Sequence, residues 1–315
     1  MESVTAYAPR GPGNHRALTM DHLPHILVVG LLLGGIYGLV SIGLNLIFGV
    51  IRIVNFAHGE FVMLGMYGAY VVYATMGLDP YLSVLLVVPA LFVVGVIVHR
   101  LVLQPLHAES NMQIFATFGL LIILQNVVLA LTRGEGFSVP SKLAGITFGV
   151  GDIRVTISRL VIFLALTATA IALHVFLKRT LIGKSIRAVT QDRQSARLMG
   201  INVERTFTIT FGIGAALAGL AGVLLSPIYT LSPGIGGNFI LAAFAVVVLG
   251  GLGSVAGAYF GGMIVGLVEA FAGFYIDPEL KQAIWFLIFL VVLIVRPTGL
   301  FGQVGAEEVG FREQN

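Results

Sequence analysis

The chain has no cysteine. Disulfides, thiol catalysis and zinc–thiolate sites are therefore excluded. Charge is scarce too. Asp, Glu, Lys and Arg make up 10% of the 315 residues, where a soluble domain carries about a quarter. No GxxxxGK[ST] segment occurs, so the chain does not bind ATP through a P-loop of its own. HExxH, GxSxG and a pair of Asp residues within apolar runs are also missing, which argues against an intramembrane enzyme. The first twenty residues, MESVTAYAPRGPGNHRALTM, lack the basic start, short apolar core and cleavage site of a signal peptide. They read as a disordered tail over 1–20, with Met20 as a candidate natural start.

What is present is apolar. The hydrophobic fraction is 57%, with 40 glycines, and the mean hydropathy is +0.98. The apolar residues fall in long blocks, and small residues let membrane helices approach closely. A span needs roughly 20 such residues. The expected spans are Leu23–Phe48, Phe61–Met76, Tyr81–Val98, Gln113–Leu131, Ile157–Leu177, Thr206–Thr230, two short spans within Phe239–Phe271, and Ile284–Val295. This predicts an all-α polytopic membrane protein of eight or nine helices, some of them broken. The transmembrane body is 21–297 and the tail 298–315. The polar segment Thr132–Thr156 predicts a surface loop with a short hairpin or amphipathic piece.

Seven of the 18 basic residues crowd one loop: Lys178, Arg179, Lys184, Arg187, Arg193, Arg197 and Arg205. Cytoplasmic loops carry such an excess. With that loop (178–206) inside, Thr132–Thr156 and Gly77–Pro80 lie outside, and Arg100–Met112 inside. Nine spans then place the N-terminus outside and the tail inside.

The stretch Leu44–Tyr70 starts and ends as membrane helix, but its middle carries Arg52, Asn55, His58 and Glu60 between Gly49 and Gly59. Polar groups at that depth face protein or water rather than lipid. Asn45, Asn55, His58 and Glu60 are the candidate solute-path residues. Asn45 either bonds across helices or meets solute. Asn55 either caps a helix starting near Phe56 or lines the path. His58 and Glu60 fall in that helix's first turn, where Glu60 is favourable without further function. Arg52 either balances Glu60 or sits at the headgroups. Gly250, Gly251 and Gly253 make a second break, and paired broken helices point to a transporter's binding site.

In the basic loop, Ser185–Met199 predicts one short helix lying outside the membrane. Gly183 precedes it, Gly200 stands as its terminating glycine, and Asn202 caps the next helix. Tied to spans at both ends, it is either a lever or an ordinary basic loop held by anionic lipid. Elsewhere, Gln125 and Asn126 diverge, so one of them faces a neighbouring helix. Glu269 is expected at the outer interface, Trp285 and Tyr275 as interfacial anchors, and His99, His107 and His174 as surface residues without metal-ligand spacing.

Three blocks resemble a known family. SARLMGINVER, with Ala196 and Gly200, is similar to the cytoplasmic coupling loop of ABC-importer permeases. GLNLIFGVIRIVNFAHGEFVMLGMYGAY and VVLGGLGSVAGAYFGG (Val247–Gly262) resemble corresponding blocks of LivH-type permeases of the branched-chain amino acid importers. The likeness runs from about Asp21 to Pro297. It implies a permease subunit of the inner membrane moving hydrophobic amino acids, with no enzymatic activity of its own. A second related permease, two ATPase subunits and an extracytoplasmic solute-binding protein are the implied partners, within the bilayer. Arg187, Asp192, Arg193, Ala196, Arg197, Met199 and Gly200 are then the ATPase-coupling residues. No cofactor, metal or nucleic acid is implied. Urea or short amides are the alternative solutes within the family. A stand-alone secondary transporter or channel is the alternative class, disfavoured because Glu60 and Glu269 are the only acidic residues near spans.

Overall fold

A computed structural model describes residues 23–106, 110–150, 153–296 and 298–302. The expected tail at 1–20, the Met20 start, His107 and most of the 298–315 tail lie outside these residues. The helices are α1 (Leu23–Ile51), α2 (His58–Met76), α3 (Val84–Val98), α4 (Ser110–Thr132), α5 (Ile157–Arg179), α6 (Leu181–Gln191), α7 (Arg193–Leu198), α8 (Val203–Leu225), α9 (Ile235–Gly250), α10 (Val255–Tyr275) and α11 (Lys281–Val295). Strands β1 (Thr147–Val150) and β2 (Ile153–Thr156) form the expected hairpin, with Thr147 opposite Thr156 and Val150 opposite Ile153. Six helical stretches are long and apolar enough to cross a membrane, and Ile235–Gly250 and Ala283–Val295 are shorter apolar helices. With α2, whose first turn is polar, they make an all-α polytopic membrane protein.

The two ends of the bundle are set by a few contacts. At one end the Ser141 hydroxyl donates to the Asp79 carboxylate at 3.0 Å, and Phe137 pairs with Leu231. The polar segment after α4, the α2–α3 turn and the α8–α9 connection therefore share that end. At the other end Arg193 donates to the Ile51 carbonyl at 2.9 Å, which puts α6, α7 and the end of α1 together. α1 thus runs from the hairpin end to the α6–α7 end.

Close backbone approach holds the centre. Gly30, Gly34 and Gly38 repeat every four residues along α1 and so share one face. They meet Gly262 and Gly266 of α10, which also stand four apart. A Cβ on Gly34 would lie 2.6 Å from the Met263 Cα, and one on Gly262 would lie 2.5 Å from the Gly38 Cα. Such small-residue ladders are how helices associate where no hydrophobic effect separates them from lipid. α8 repeats the device at the middle of the bundle. It packs on α1, α2 and α3, with Gly214 against Gly43, Gly219 against Gly65, and Ala215 against Gly95.

Three boundaries differ from expectation. The third span does not close at His99. It continues as a π-helical turn, His99–Leu103, and a 3-10 turn, Gln104–Leu106. His99 is consequently fully buried rather than on the surface. Its Nδ1 meets the Thr208 hydroxyl at 3.1 Å, and its ring packs on Phe211. The sixth span ends at Leu225 rather than Thr230 and the next helix begins at Ile235 rather than Phe239, so the outer connection lies earlier in the chain, over 226–234. The extramembrane helix expected over Ser185–Met199 is two helices, divided at Asp192.

Candidate functional site

α1 ends where Arg52 turns into the left-handed region, φ 61°, a conformation uncommon for any residue but glycine. The chain then doubles back. His58 Nε2 lies 3.0 Å from the Val40 carbonyl, eleven residues back along α1, which is roughly 16 Å of helix. The segment between is pinned by Thr117 of α4. The Phe56 amide donates to the Thr117 hydroxyl at 3.3 Å, and that hydroxyl sits 3.2 Å from the Val54 carbonyl. The Asn55 side chain accepts from the Ala57 amide at 3.1 Å, which closes the turn just ahead of α2, whose own N-cap position is Ala57. α2 therefore starts deep inside the bundle.

A second helix starts at the same place. Gly236, in the first turn of α9, touches Gly59 backbone to backbone, and a Cβ on it would lie 3.0 Å from Glu60 Oε1. α9 then runs back along the re-entrant segment, where Phe244 packs on Phe56 with ring centroids 5.5 Å apart. The two N-termini meet head to head, each with a positive partial charge that favours an anion. Glu60 lies between them, 2% exposed; Asn55 and His58 are fully buried. Asn55 Nδ2, His58 Nδ1 and Glu60 Oε2 have no hydrogen-bond partner among the described residues. Buried polar atoms are rarely left so. Arg52 is exposed, and no ion pair joins it to Glu60 among the described residues.

The second break is built differently. Gly251 (φ 104°) and Gly253 (φ 81°) turn the chain between α9 and α10. Ser254 caps α10 by accepting from the Gly257 amide at 3.0 Å. Asn45 holds the turn: its Oδ1 accepts from the Gly253 amide at 2.5 Å, and its Nδ2 donates to the Ser254 carbonyl at 2.6 Å. Gly253 packs on Gly49, where a Cβ would lie 3.1 Å from the Gly49 Cα. The amides of Leu300 and Phe301 donate to the Leu249 and Gly250 carbonyls, which α9 leaves open at its C-terminus. In this structure Asn45 is thus spent on an interhelical bond, the structural alternative of the two read from the sequence. Gly251 is buried against the 298–302 segment and Gly250 against Gly257 of α10.

The α6–α7 end is a chain of capped corners. The Thr180 hydroxyl accepts from the Gly183 amide at 2.9 Å, so α6 leaves α5 through a single residue. Gly183 belongs to α6, not before it, and lies directly on the Phe176 carbonyl. Asp192 breaks the expected single helix because its carboxylate accepts from the Gln194 and Ser195 amides at 2.8 and 3.1 Å. The same carboxylate accepts from the Ser195 hydroxyl at 2.7 Å, which with the amides holds its pKa below the usual carboxylate range. Gly200, φ 81°, terminates α7: its amide donates to the Arg197 carbonyl, and that of Ile201 to Ala196. This double bond is the Schellman arrangement. Asn202 then caps α8 by accepting from the Arg205 amide at 2.9 Å.

The segment has two faces. Ile186, Val189 and Ala196 are buried toward the bundle. Leu198 and Met199 are 83% and 82% exposed, and Arg187 and Arg197 are exposed beside them. Leu198 went unnoticed in the sequence, although an apolar pair within a basic loop is a visible signal. Thr180 and Thr117 were missed as well. A Thr three residues before Gly183 is a readable cap, whereas Thr117 acts only across helices.

Other expectations change on burial. Glu269 is buried, not interfacial. It accepts from the Tyr37 hydroxyl at 2.6 Å and pairs with Lys281 at 3.2 Å. Trp285 is buried with Ala242, Ala245, Val246, Leu249 and Val265 rather than anchored at an interface. Asn126 is exposed and bonds back to its own helix at Ile122. Gln125 faces the Gly234 turn, so it is the one that meets a neighbour. His174 and Tyr275 are exposed. Among the described residues no group of three His, Asp or Glu is placed to hold a metal ion.

Comparison with known proteins bears on this architecture directly. A family described as "Branched-chain amino acid transport system / permease component" matches residues 26–293. The chain is similar to the high-affinity branched-chain amino acid transport system permease protein BraD of Pseudomonas aeruginosa, 34% identical over 91% of this chain and 98% of that one. It is similar to LivH of Escherichia coli, 34% identical over 89% of this chain and 96% of the relative. Part of it also resembles the ribose import permease protein RbsC of Escherichia coli, 29% identical over 51% of this chain and 53% of that protein. No solved structure matches. With the family match running over 26–293 and the relatives covered almost end to end, the chain belongs to the family of branched-chain amino acid transport system permease components.

Proposed function

We propose that this chain is the membrane permease subunit of an ABC importer that moves branched-chain or other hydrophobic amino acids across the inner membrane. The observation that carries the energised part of this reading is the capped α6–α7 corner. It is joined rigidly to α5 and α8 and presents Leu198 and Met199 to a partner. In this reading the basic end faces the cytoplasm, two ATPase subunits dock there, a second related permease completes the pore, and a solute-binding protein delivers from outside. Arg187, Arg197, Met199 and Gly200 belong to the docking face; Asp192, Arg193 and Ala196 shape the corner behind it. ATP binding favours one arrangement of the ATPases. Because they hold the corner, they favour one arrangement of the spans, and a partner drives the change only by binding the two states unequally.

The solute path passes the head-to-head junction, where Asn55, His58 and Glu60 keep unspent polar atoms. Asn45, Gly250, Gly251 and Gly253 form the rigid turn beside it. An otherwise apolar wall suits an aliphatic side chain, and few strong sites suit release.

The test is reconstitution in proteoliposomes with the partner permease, both ATPases and the binding protein. ATP-dependent accumulation of leucine is the expected result. Uptake by this chain alone, without ATPases, would sink the reading, and uptake of urea or short amides in place of leucine would correct the solute. Within that assay Gly200→Trp gives a sharper check. An L residue at positive φ costs about 1–2 kcal/mol, and the indole would project into space that is open in the isolated chain. Insertion persists and uptake collapses if a partner fills that space.

A further inference from the structure

We propose that Arg193 is a positioning residue that couples α7 to the end of α1, rather than a docking contact for the ATPase. The inference rests on the importer reading above. Its Nη2 donates to the Ile51 carbonyl at 2.9 Å, and its guanidinium lies 5.0 Å from the centroid of the Phe207 ring on α8. Ile51 is the last residue of α1, and its carbonyl is one of the four that a helix leaves open. A cation there also meets the negative end of the helix dipole. Arg52 turns left-handed immediately afterwards, so the helix cannot continue and satisfy that carbonyl itself. Arg193 is half-buried, whereas Gln194, Ser195, Arg197, Leu198 and Met199 around it are exposed. It therefore points into the bundle while its neighbours point out.

What lies beyond Ile51 gives the contact its consequence. Two residues up α1 is Gly49, in contact with Gly253 of the second break. Four further is Asn45, which bonds the same turn. On the other side Arg52 opens the re-entrant segment that leads to Asn55, His58 and Glu60. One guanidinium thus stands where the corner, the first break and the second break meet. α6 also packs on α1, with Ile186 and Val189 in the same apolar core as Ile51, and such a non-directional contact resists separation more than sliding. A polar cavity of about 350 Å³, lined by Arg52 and residues 189–194, lies beside the contact, so the corner has room to slip if Arg193 is lost.

The experiment uses the full reconstituted complex with Arg193→Met, which keeps the apolar stem, and Arg193→Lys. In Arg193→Met the ATPases still copurify and hydrolysis stays within about twofold, while leucine uptake falls roughly tenfold or more, lowering uptake per ATP. Arg193→Lys recovers part of that ratio. Uptake that stays within about twofold of wild type, uptake and hydrolysis falling in step, or loss of the ATPases from the complex would each overturn the proposal. A second measurement covers variants that do not assemble. The chain has no cysteine, so Arg52→Cys with Gln194→Cys accepts a pair of spin labels in an otherwise native chain. The distance between them is expected to be the same in the ATP-free and nucleotide-trapped complex. A change between those states would overturn the link. A wild-type complex with no ATP-driven leucine uptake sinks the importer reading instead, and the label distance still decides whether corner and α1 move together.

Discussion

The two breaks look alike in sequence, each a glycine-flanked interruption of an apolar run, yet they are opposites in chemistry. The Gly251–Ser254 turn has its polar groups bonded by Asn45, by the Ser254 cap and by the Leu300–Phe301 backbone. The segment from Arg52 to Glu60 buries three polar side chains and, among the described residues, leaves an atom of each without a partner. A satisfied turn moves as a unit, because its geometry is fixed by bonds that survive rigid motion. An unsatisfied buried cluster is a place where something else is to be bound, since each such atom costs about 1–3 kcal/mol until it is paired. Under the proposed function, the contrast fits a mechanical role for the second break and a solute-facing role for the first.

Three experiments break or sharpen that contrast, taken in order of expected effect. Asn45→Leu strips the second break of its bonds in a nearly closed site. A loss of about 2 kcal/mol is expected, read as a lower Tm of the purified chain in detergent. An unchanged Tm would show that the turn does not depend on Asn45. Glu60→Gln, at the first break, keeps the shape and removes the charge. Stability should move by less than about 1 kcal/mol, while the rate or solute range of uptake changes several-fold; equal uptake would return Glu60 to a structural role. The smallest effect is at the corner. Asp192 has its pKa lowered by the bonds from Ser195 and Gln194, so the cap contributes fully above the ordinary carboxylate pKa and is lost as pH falls through the lower folded value. Protection of the amides in residues 193–198, taken relative to their intrinsic exchange rate, should fall only in that acidic window, and Asp192→Asn should remove this pH dependence. A loss of protection near neutrality would contradict it.

Much of this was legible in the chain. Long apolar blocks broken by glycine marked the spans, because a helix needs a fixed length to cross. Gly200 and Asn202 marked the end of one helix and the start of the next through their local chemistry. Asp192 was equally readable as a cap, yet the apolar edge from Ile186 to Met199 hid it. His99 and Glu269 were misplaced because nothing local distinguishes a polar residue at a span's end from one buried by a partner on another helix. His99 is buried by Thr208 and Phe211, and Glu269 by Tyr37 and Lys281.

The interrupted stretch around Asn55 was visible as an interruption, but its form was not. Sequence by itself determined the membrane-spanning helical class, the two breaks and the basic corner, since composition, periodicity and capping act over a few residues. Only the tertiary structure decided that α2 and α9 begin at one buried point, that Asn45 serves the other break, and that Arg193 reaches Ile51. Those depend on which distant backbones approach closely enough to bond, and the approach is set by the glycine ladders of α1, α8 and α10 acting together.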